Sequence, residues 1–321
     1  MGKKIYGAVF SLILLGLAFP GRGMALDYPT KTIQLVVGMA AGGPADLSTR
    51  IIAEGISKEL GVPVVVENKP GAAASLAAAL VARAKPDGYT ISTGGAWAIC
   101  GVYAFLPDIP YKFSDFIPIA KYISLPVIIA VRSDSSWSTF QNFIEDARRN
   151  PGKYKSGSDG GGTSLIWEAV LRSSNLDVAH VVYKGSAPNA TALLGGHVDV
   201  SAAALTPVWP QIDAKKLRML AALGRSRMKA FPEIPTLTEL GHPDGSREFW
   251  HGLLAPAGTP QVVAGKLSEA VKKVMSNPAV HARLEKIGVI PSYQGPKEFG
   301  EFLREENEQY LRLGQKYKLP E

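Results

Sequence analysis

The sequence has one cysteine in 321 residues, Cys100, so no disulfide can form within the chain. Nor is there a Cys/His cluster of the kind that builds a structural zinc site. The five histidines, His180, His197, His242, His251 and His281, include no H-E-x-x-H and no pair four residues apart, which argues against a metal centre. A G-x-S-x-G nucleophile elbow is missing, and Cys100 has no evident base, so it reads as inert packing. The glycine-rich segments match neither G-x-x-x-x-G-K-[ST] nor G-x-G-x-x-G with its acidic partner, so no nucleotide cofactor is expected. Basic residues are not massed on one face: Lys153-Lys155, Lys215-Lys216 and Lys272-Lys273 are separated and interleaved with acids, which excludes a nucleic-acid surface. The 33 Gly and 23 Pro follow no fixed period, which excludes collagen-like and repeat architectures.

The chain also lacks a hydrophobic run long enough to span a membrane, which takes about 20 residues. The run from Ala8 to Phe19 is followed at once by Pro20-Gly21 and Arg22. With Lys3 and Lys4 before it and Gly23-Met24-Ala25 after it, residues 1–25 read as a cleaved secretory signal, and no membrane insertion is expected afterwards. Cleavage removes three of the 35 cations and none of the 28 acids, leaving a mild net charge of +4. With 46% hydrophobic and 20% charged residues, the mature chain has the composition of a packed body, and its length suits two domains of about 100 to 200 residues.

Short apolar runs alternate with amphipathic segments. Ile33–Gly38, Val62–Glu67 and Tyr89–Thr93 read as strands, separated by helices over Asp46–Leu60 and Gly71–Ala84. The first helix carries Leu47, Ile51, Ile52, Ile56 and Leu60 on one side. That order predicts a parallel sheet covered on both faces. The alternation restarts with strands at Val127–Val131, Tyr154–Ser158, Ala179–Tyr183, Val198–Ala203 and Leu217–Leu223. Helices fall between them at Trp137–Arg149, Thr163–Ser173 and Ala187–Leu194. After a strand-like Phe249–Ala255 the chain ends in helices without strands of their own, striped by Val263, Leu267, Val271 and Val274 and by Phe299, Leu303, Glu306 and Tyr310. If these pack back on the first lobe, Val127–Val131 and Phe249–Ala255 are the two crossings. Lobe 1 is then 26–127 plus 251–321, and lobe 2 is 128–250.

The chemistry is expected in two glycine-rich loops, each between a strand and a helix. The first, Ala40-Ala41-Gly42-Gly43-Pro44-Ala45-Asp46, offers backbone N–H groups and a helix N-terminus to an anion, although Asp46 as a plain helix cap explains it as well. The second, Gly157-Ser158-Asp159-Gly160-Gly161-Gly162-Thr163-Ser164, adds the hydroxyls of Ser158, Thr163 and Ser164. Two such loops facing one cleft suit a carboxylate.

The chain resembles the solute-binding receptors of tripartite tricarboxylate transporters, the Bug family. The resemblance rests on Tyr28-Pro29, the Ala40–Asp46 loop, Val64–Ala72 (V-V-V-E-N-K-P-G-A) and Lys85–Thr90 (K-P-D-G-Y-T). It continues through Tyr183–Pro188 (Y-K-G-S-A-P), Leu193–Asp199 (L-L-G-G-H-V-D) and Gly252–Pro260 (G-L-L-A-P-A-G-T-P), across the mature chain. It implies an α/β, two-lobed periplasmic-binding-protein fold (type II-like), each lobe a mainly parallel sheet flanked by helices, with the ligand cleft between lobes. It also implies a non-catalytic periplasmic protein that passes a small organic acid to a membrane permease, as a monomer without cofactor or metal. The matching loops place ligand contacts at Ala40, Ala41, Gly42, Gly43 and Asp46, and at Ser158, Gly162, Thr163, Ser164, Tyr183, Gly185, Ser186 and Ala187, with Asp199 either a contact or a brace.

Three positions depart from the family pattern: Trp97 and Cys100 within Ala96–Cys100, Ile166 after the Gly-Thr-Ser turn, and Ala203-Ala204 after the Val-Asp strand. They predict a cleft less polar than a citrate site, with Trp97 a stacking surface for an aromatic or longer apolar acid. Two other readings stay open, a secreted α/β enzyme acting on a carboxylate and the binding component of a sensory system.

Overall fold

The computed structural model describes residues 27–316 apart from Pro107, so the expected signal segment lies outside the described residues. The first sheet begins with β1 (Ile33–Val37), β2 (Val64–Asn68) and β3 (Thr90–Gly95), parallel neighbours in the order β2-β1-β3. They are joined by α1 (Pro44–Leu60) and α2 (Ser75–Ala82). Pro44 opens α1 at a position where a missing N–H costs nothing, and Gly61 closes it with a left-handed φ of 69°, donating its N–H to Ser57 O at 3.0 Å. Ile51, Ile52 and Ile56 face the core as the periodicity predicts, but Leu47 is exposed.

Three further strands complete this sheet: β4 (Phe116–Leu125), β10 (Phe249–Pro256) and β11 (Ile290–Gln294), in the order β11-β4-β10-β3-β1-β2. All three pair antiparallel, so the sheet is mixed rather than mainly parallel. The cause is topological: β4 carries the chain out toward the second sheet and β10 brings it back, so the two run in opposite directions side by side.

The second sheet has the order β7-β6-β8-β5-β9, built from β5 (Val127–Arg132), β6 (Lys155–Ser158), β7 (Ala179–Val182), β8 (Val200–Ala204) and β9 (Leu217–Ala222). β7, β6 and β8 are parallel, whereas β5 is antiparallel to both β8 and β9. Its helices are α3 (Phe140–Arg149), α4 (Gly161–Ser173), α5 (Ser186–Leu194) and α6 (Leu205–Asp213). One face buries Phe140, Phe143, Trp167 and Leu220, and the other buries Ala190, Leu193, Val208 and Met219.

The change of sheet lies beside the expected crossing strands, not within them. β4 and β5 are separated by Pro126 alone, whose carbonyl accepts the N–H of Leu205 at 2.8 Å. Proline cannot donate to a ladder, so it separates one sheet's pairing from the other's. The return runs from Ala222 to Phe249, and all of β10 belongs to the first sheet. Helices α7 (Gln261–Met275), α8 (Pro278–Lys286) and α9 (Pro296–Lys316) pack on that first sheet. β11 lies between α8 and α9, which corrects the expectation of helices without a strand.

Candidate functional site

The C-terminal ends of β1, β2 and β3 share one edge of their sheet, and those of β6, β7 and β8 share one edge of the other, because each trio is parallel. Ligands of open α/β sheets bind outside such carboxyl ends. Trp97 joins the two edges. It starts a single π-helical turn, Trp97–Gly101, after β3, and a β-carbon placed on Gly162 would lie 3.4 Å from its own Cβ. One placed on Gly161 would lie 3.7 Å from the indole. The end of β3 in the first sheet and the second glycine loop therefore meet, with the N-terminus of α4 resting against a side chain of the other lobe.

In the first loop, Asp46 is not the cap of α1. The helix starts two residues earlier, with Gly43 at the cap position, and Asp46 turns its carboxylate back along the loop. That carboxylate accepts the Gly42 N–H at 2.9 Å, the Asn68 amide at 2.9 Å and the Arg50 guanidinium at 2.9 Å, and it is buried. Burial alone pushes its pKa up, but the hydrogen bonds from Arg50, Gly42 and Asn68 outweigh this and hold it below the ordinary range. Asn68 also donates to Met39 O at 3.0 Å, tying the loop to the end of β2. Asp46 is thus a brace, and the amide of Gly42, which has a φ of 85°, is already used. The N–H groups of Ala40, Ala41 and Gly43 have no partner among the described residues and are the ones left for an anion.

In the second loop, Gly160 and Gly161 have φ of 86° and 55°, a conformation glycine adopts without steric cost, and they swing the chain into α4. The first-turn N–H groups of Gly161, Gly162 and Thr163 are free of protein partners among the described residues. Asp159, which the sequence did not single out, organises this side. Its half-buried carboxylate accepts the Ser186 hydroxyl, the Asn189 amide at 2.6 Å and the Ala204 N–H at 2.7 Å. Desolvation pushes its pKa up despite these donors. Ser186 is therefore a bracing residue, whereas Gly185, with a φ of 106°, opens α5 beside Tyr183 and the exposed Ala187.

Ser158 also faces inward. Its hydroxyl lies 2.5 Å from that of Ser164 and 2.7 Å from His180 Nε2, while His180 Nδ1 lies 2.8 Å from Glu168. Arg172 holds the other Glu168 oxygen at 2.7 Å. This Ser-His-Glu arrangement, absent from the sequence reading, resembles a nucleophile with its base, but Ser158 is fully buried and its oxygen is pinned by Ser164. Of the two hydroxyls, Ser164's is the less buried. Asp199 lies at the other end of β6, where it accepts the Lys155 N–H at 2.8 Å, so it braces the lobe away from the cleft.

Of the departures from the family pattern, Ala204 is half-buried and gives its N–H to Asp159, while Ile166 and Ala203 are fully buried in the two cores of the second sheet and do not reach the cleft. Trp97 does line it, but its ring already stacks on Phe105 at 5.6 Å and meets Tyr310 edge-on at 6.2 Å. Cys100 is buried, which pushes its thiol pKa well up and leaves it unreactive. One residue near the second loop was not singled out. Tyr310, read as part of an apolar stripe, is fully buried on α9, has no hydrogen-bond partner for its hydroxyl, and that hydroxyl would lie 3.5 Å from a β-carbon on Gly162. Its place beside the first turn of α4 is invisible in the sequence. The Trp97 indole N–H is likewise buried and unpartnered.

Among the described residues, no His, Cys, Asp or Glu cluster is arranged to hold a metal ion, and no helix is long and apolar enough to cross a membrane.

Residues 48–319 match the family described as "Tripartite tricarboxylate transporter family receptor". A protein of Cupriavidus necator, the UPF0065 protein in the gbd 5′ region, is 36% identical over 310 residues, covering 93% of this chain and 91% of that one. The structure of MatC from Rhodopseudomonas palustris with bound malate superposes with a TM-score of 0.78 at 27% identity, covering 89% of this chain and 100% of MatC. A second R. palustris protein, solved with adipate, gives a TM-score of 0.79 at 26% identity, covering 90% and 97%. The two solved structures share the two mixed sheets and flanking helices, and the matched family is one of receptors rather than enzymes. The chain belongs to the solute-binding receptors of the tripartite tricarboxylate transporter family.

Proposed function

We propose that this protein, exported to the periplasm by its first 25 residues, closes its two lobes on a small organic carboxylate and presents it to a membrane permease of the tripartite type. The observation that carries this reading is the approach of Trp97 to Gly161 and Gly162, which brings the end of β3 against the second loop; on this reading the unbonded N–H groups of both loops face one ligand. Each helix N-terminus contributes only about 0.3–1 kcal/mol to an anion, while micromolar affinity requires about 8 kcal/mol. Closure must therefore also exclude water and bury the ligand's carbon skeleton. The malate and adipate held by the two R. palustris relatives support a carboxylate ligand. Ala40, Ala41 and Gly43 grip one end of it, and Gly162, Thr163, Ser164 and Tyr310 the other. A wall of Trp97 and Phe105 favours an acid with an apolar body, aromatic acids included, over a citrate-like one. One chain suffices for capture, without cofactor or metal.

The test is a thermal-shift and calorimetric screen of the protein lacking residues 1–25 against mono-, di- and tricarboxylic acids. A saturable response to one class of acid, returned unaltered, is expected. Absence of any response, or a chemically changed acid, overturns the reading. Trp97→Ala separates ligand classes: it should weaken benzoate-type acids more than short aliphatic ones, and equal losses contradict the apolar-wall argument.

A further inference from the structure

Away from the cleft, a cavity of about 480 Å³ lies where α9 of the first lobe meets the return crossing from β9 to β10. Gln309, Arg312 and Lys316 of α9 line one side, and Arg225, Asp244 and Arg247 line the other. Four of these six side chains are cationic. Lys316 pairs with Asp244, and Arg225 reaches Glu306 at 2.6 Å and Glu305 at 3.2 Å. Among the described residues neither of the remaining two makes an ion pair: Arg312 is exposed, whereas Arg247 is only 7% exposed. Its Nη1 donates to Ser246 O at 2.6 Å, and its Nε is buried without a partner.

A guanidinium stays charged at any pH this protein meets, so burying one without an acceptor is costly. Desolvation indeed pulls the Arg247 pKa down, the neighbouring Arg225 adding to this, while the Tyr310, Glu306 and Asp244 charges oppose it. Glu306 on α9 gives one oxygen to Arg225 and leaves the other unpartnered among the described residues, so it does not neutralise Arg247 by hydrogen bonding. Planar, forked donors of this kind match oxyanions.

We propose that Arg247 and Arg312, with Arg225 at the rim, form a second anion site for a free inorganic oxyanion of sulfate or phosphate size, separate from the carboxylate cleft. The cavity is walled by α9 on one side and by the lobe-to-lobe crossing on the other, so a bound oxyanion links the two and stabilises the arrangement of the lobes seen here. The inference does not rest on the carboxylate reading.

The experiment titrates sulfate into the protein lacking residues 1–25 at constant ionic strength balanced with sodium chloride, following the unfolding temperature. A saturable rise is expected for the unmodified protein. Arg312→Gln, a change at an exposed residue, should weaken the apparent sulfate affinity about tenfold, and Arg247→Gln should remove the response. Ser164→Ala, which removes a hydroxyl of the second loop and touches neither α9 nor the crossing, should leave it intact. A response weakened in Ser164→Ala as much as in Arg312→Gln would place the anion in the cleft and overturn the proposal. So would a sulfate curve unchanged in Arg312→Gln, or the absence of a saturable response. Should Arg247→Gln fail to fold, Arg312→Gln decides alone.

Discussion

The Cβ of Trp97 lies 3.4 Å from the point a β-carbon on Gly162 would occupy, so the indole of one lobe packs on the bare backbone of the other. A branched side chain at 162 would collide with Trp97 and with Phe249, whose ring is also 3.4 Å from that point. Gly162→Val should hold the lobes apart, lowering carboxylate affinity at least about tenfold while each lobe stays folded. Small-angle scattering with and without the acid checks this, since the variant should fail to compact.

Tyr310→Phe is more discriminating. The hydroxyl is buried without a protein partner, so removing it should leave stability unchanged or slightly raised. If it donates to the ligand, affinity should fall by about 1.5–3 kcal/mol, the usual worth of a hydrogen bond to a charged group. Unfolding curves and calorimetry on one variant separate the two effects.

Asp46→Ala removes the acceptor shared by Gly42, Asn68 and Arg50. Stability should drop by about 1–2 kcal/mol, because the half-buried Asn68 amide, the Gly42 N–H and the Arg50 guanidinium lose one shared charged acceptor. Carboxylate affinity should fall with it as the first loop loosens. Urea unfolding together with titration measures both.

Glu168 sets an acid limit on the second lobe. The hydrogen bond from His180 outweighs burial and, with Arg172, holds this carboxyl at about 2 instead of its usual 4.5. Since the folded value is the lower one, the stabilisation is complete above about 4.5 and disappears as pH falls through about 2. Glu168→Gln should therefore be weaker than the parent by on the order of 1–2 kcal/mol at pH 7, with the gap closing below pH 4 in urea unfolding series.

The parallel strands and their helices were legible in the sequence because each is a short apolar run with punctuation at both ends, as in Val64–Asn68 between Pro63 and Pro70. β4 escaped notice because Pro118 and Lys121 interrupt it. Lys121 is buried beside its ion partner Glu248, 127 residues later, next to the neighbouring strand of the same sheet. β11 carries Pro291 and lies at the sheet edge, a place where proline is tolerated and the strand pattern is weakest. In the site, glycine-rich loops declared themselves through composition, but the division between gripping and bracing residues did not. Asp46, Ser158, Ser186 and Asp199 are chemically suited to a ligand, and only their partners reveal that each is occupied inside its own lobe.

The central claim is that one carboxylate draws the two glycine loops together. Spin labels on exposed positions beside them, introduced as Leu47→Cys and Thr191→Cys, report that approach directly, with the buried Cys100 left unlabelled. The account predicts a shorter and narrower distance distribution when the acid that binds in titration is added, and none of that change in Gly162→Val. A distribution that does not move on saturation with that acid would contradict it.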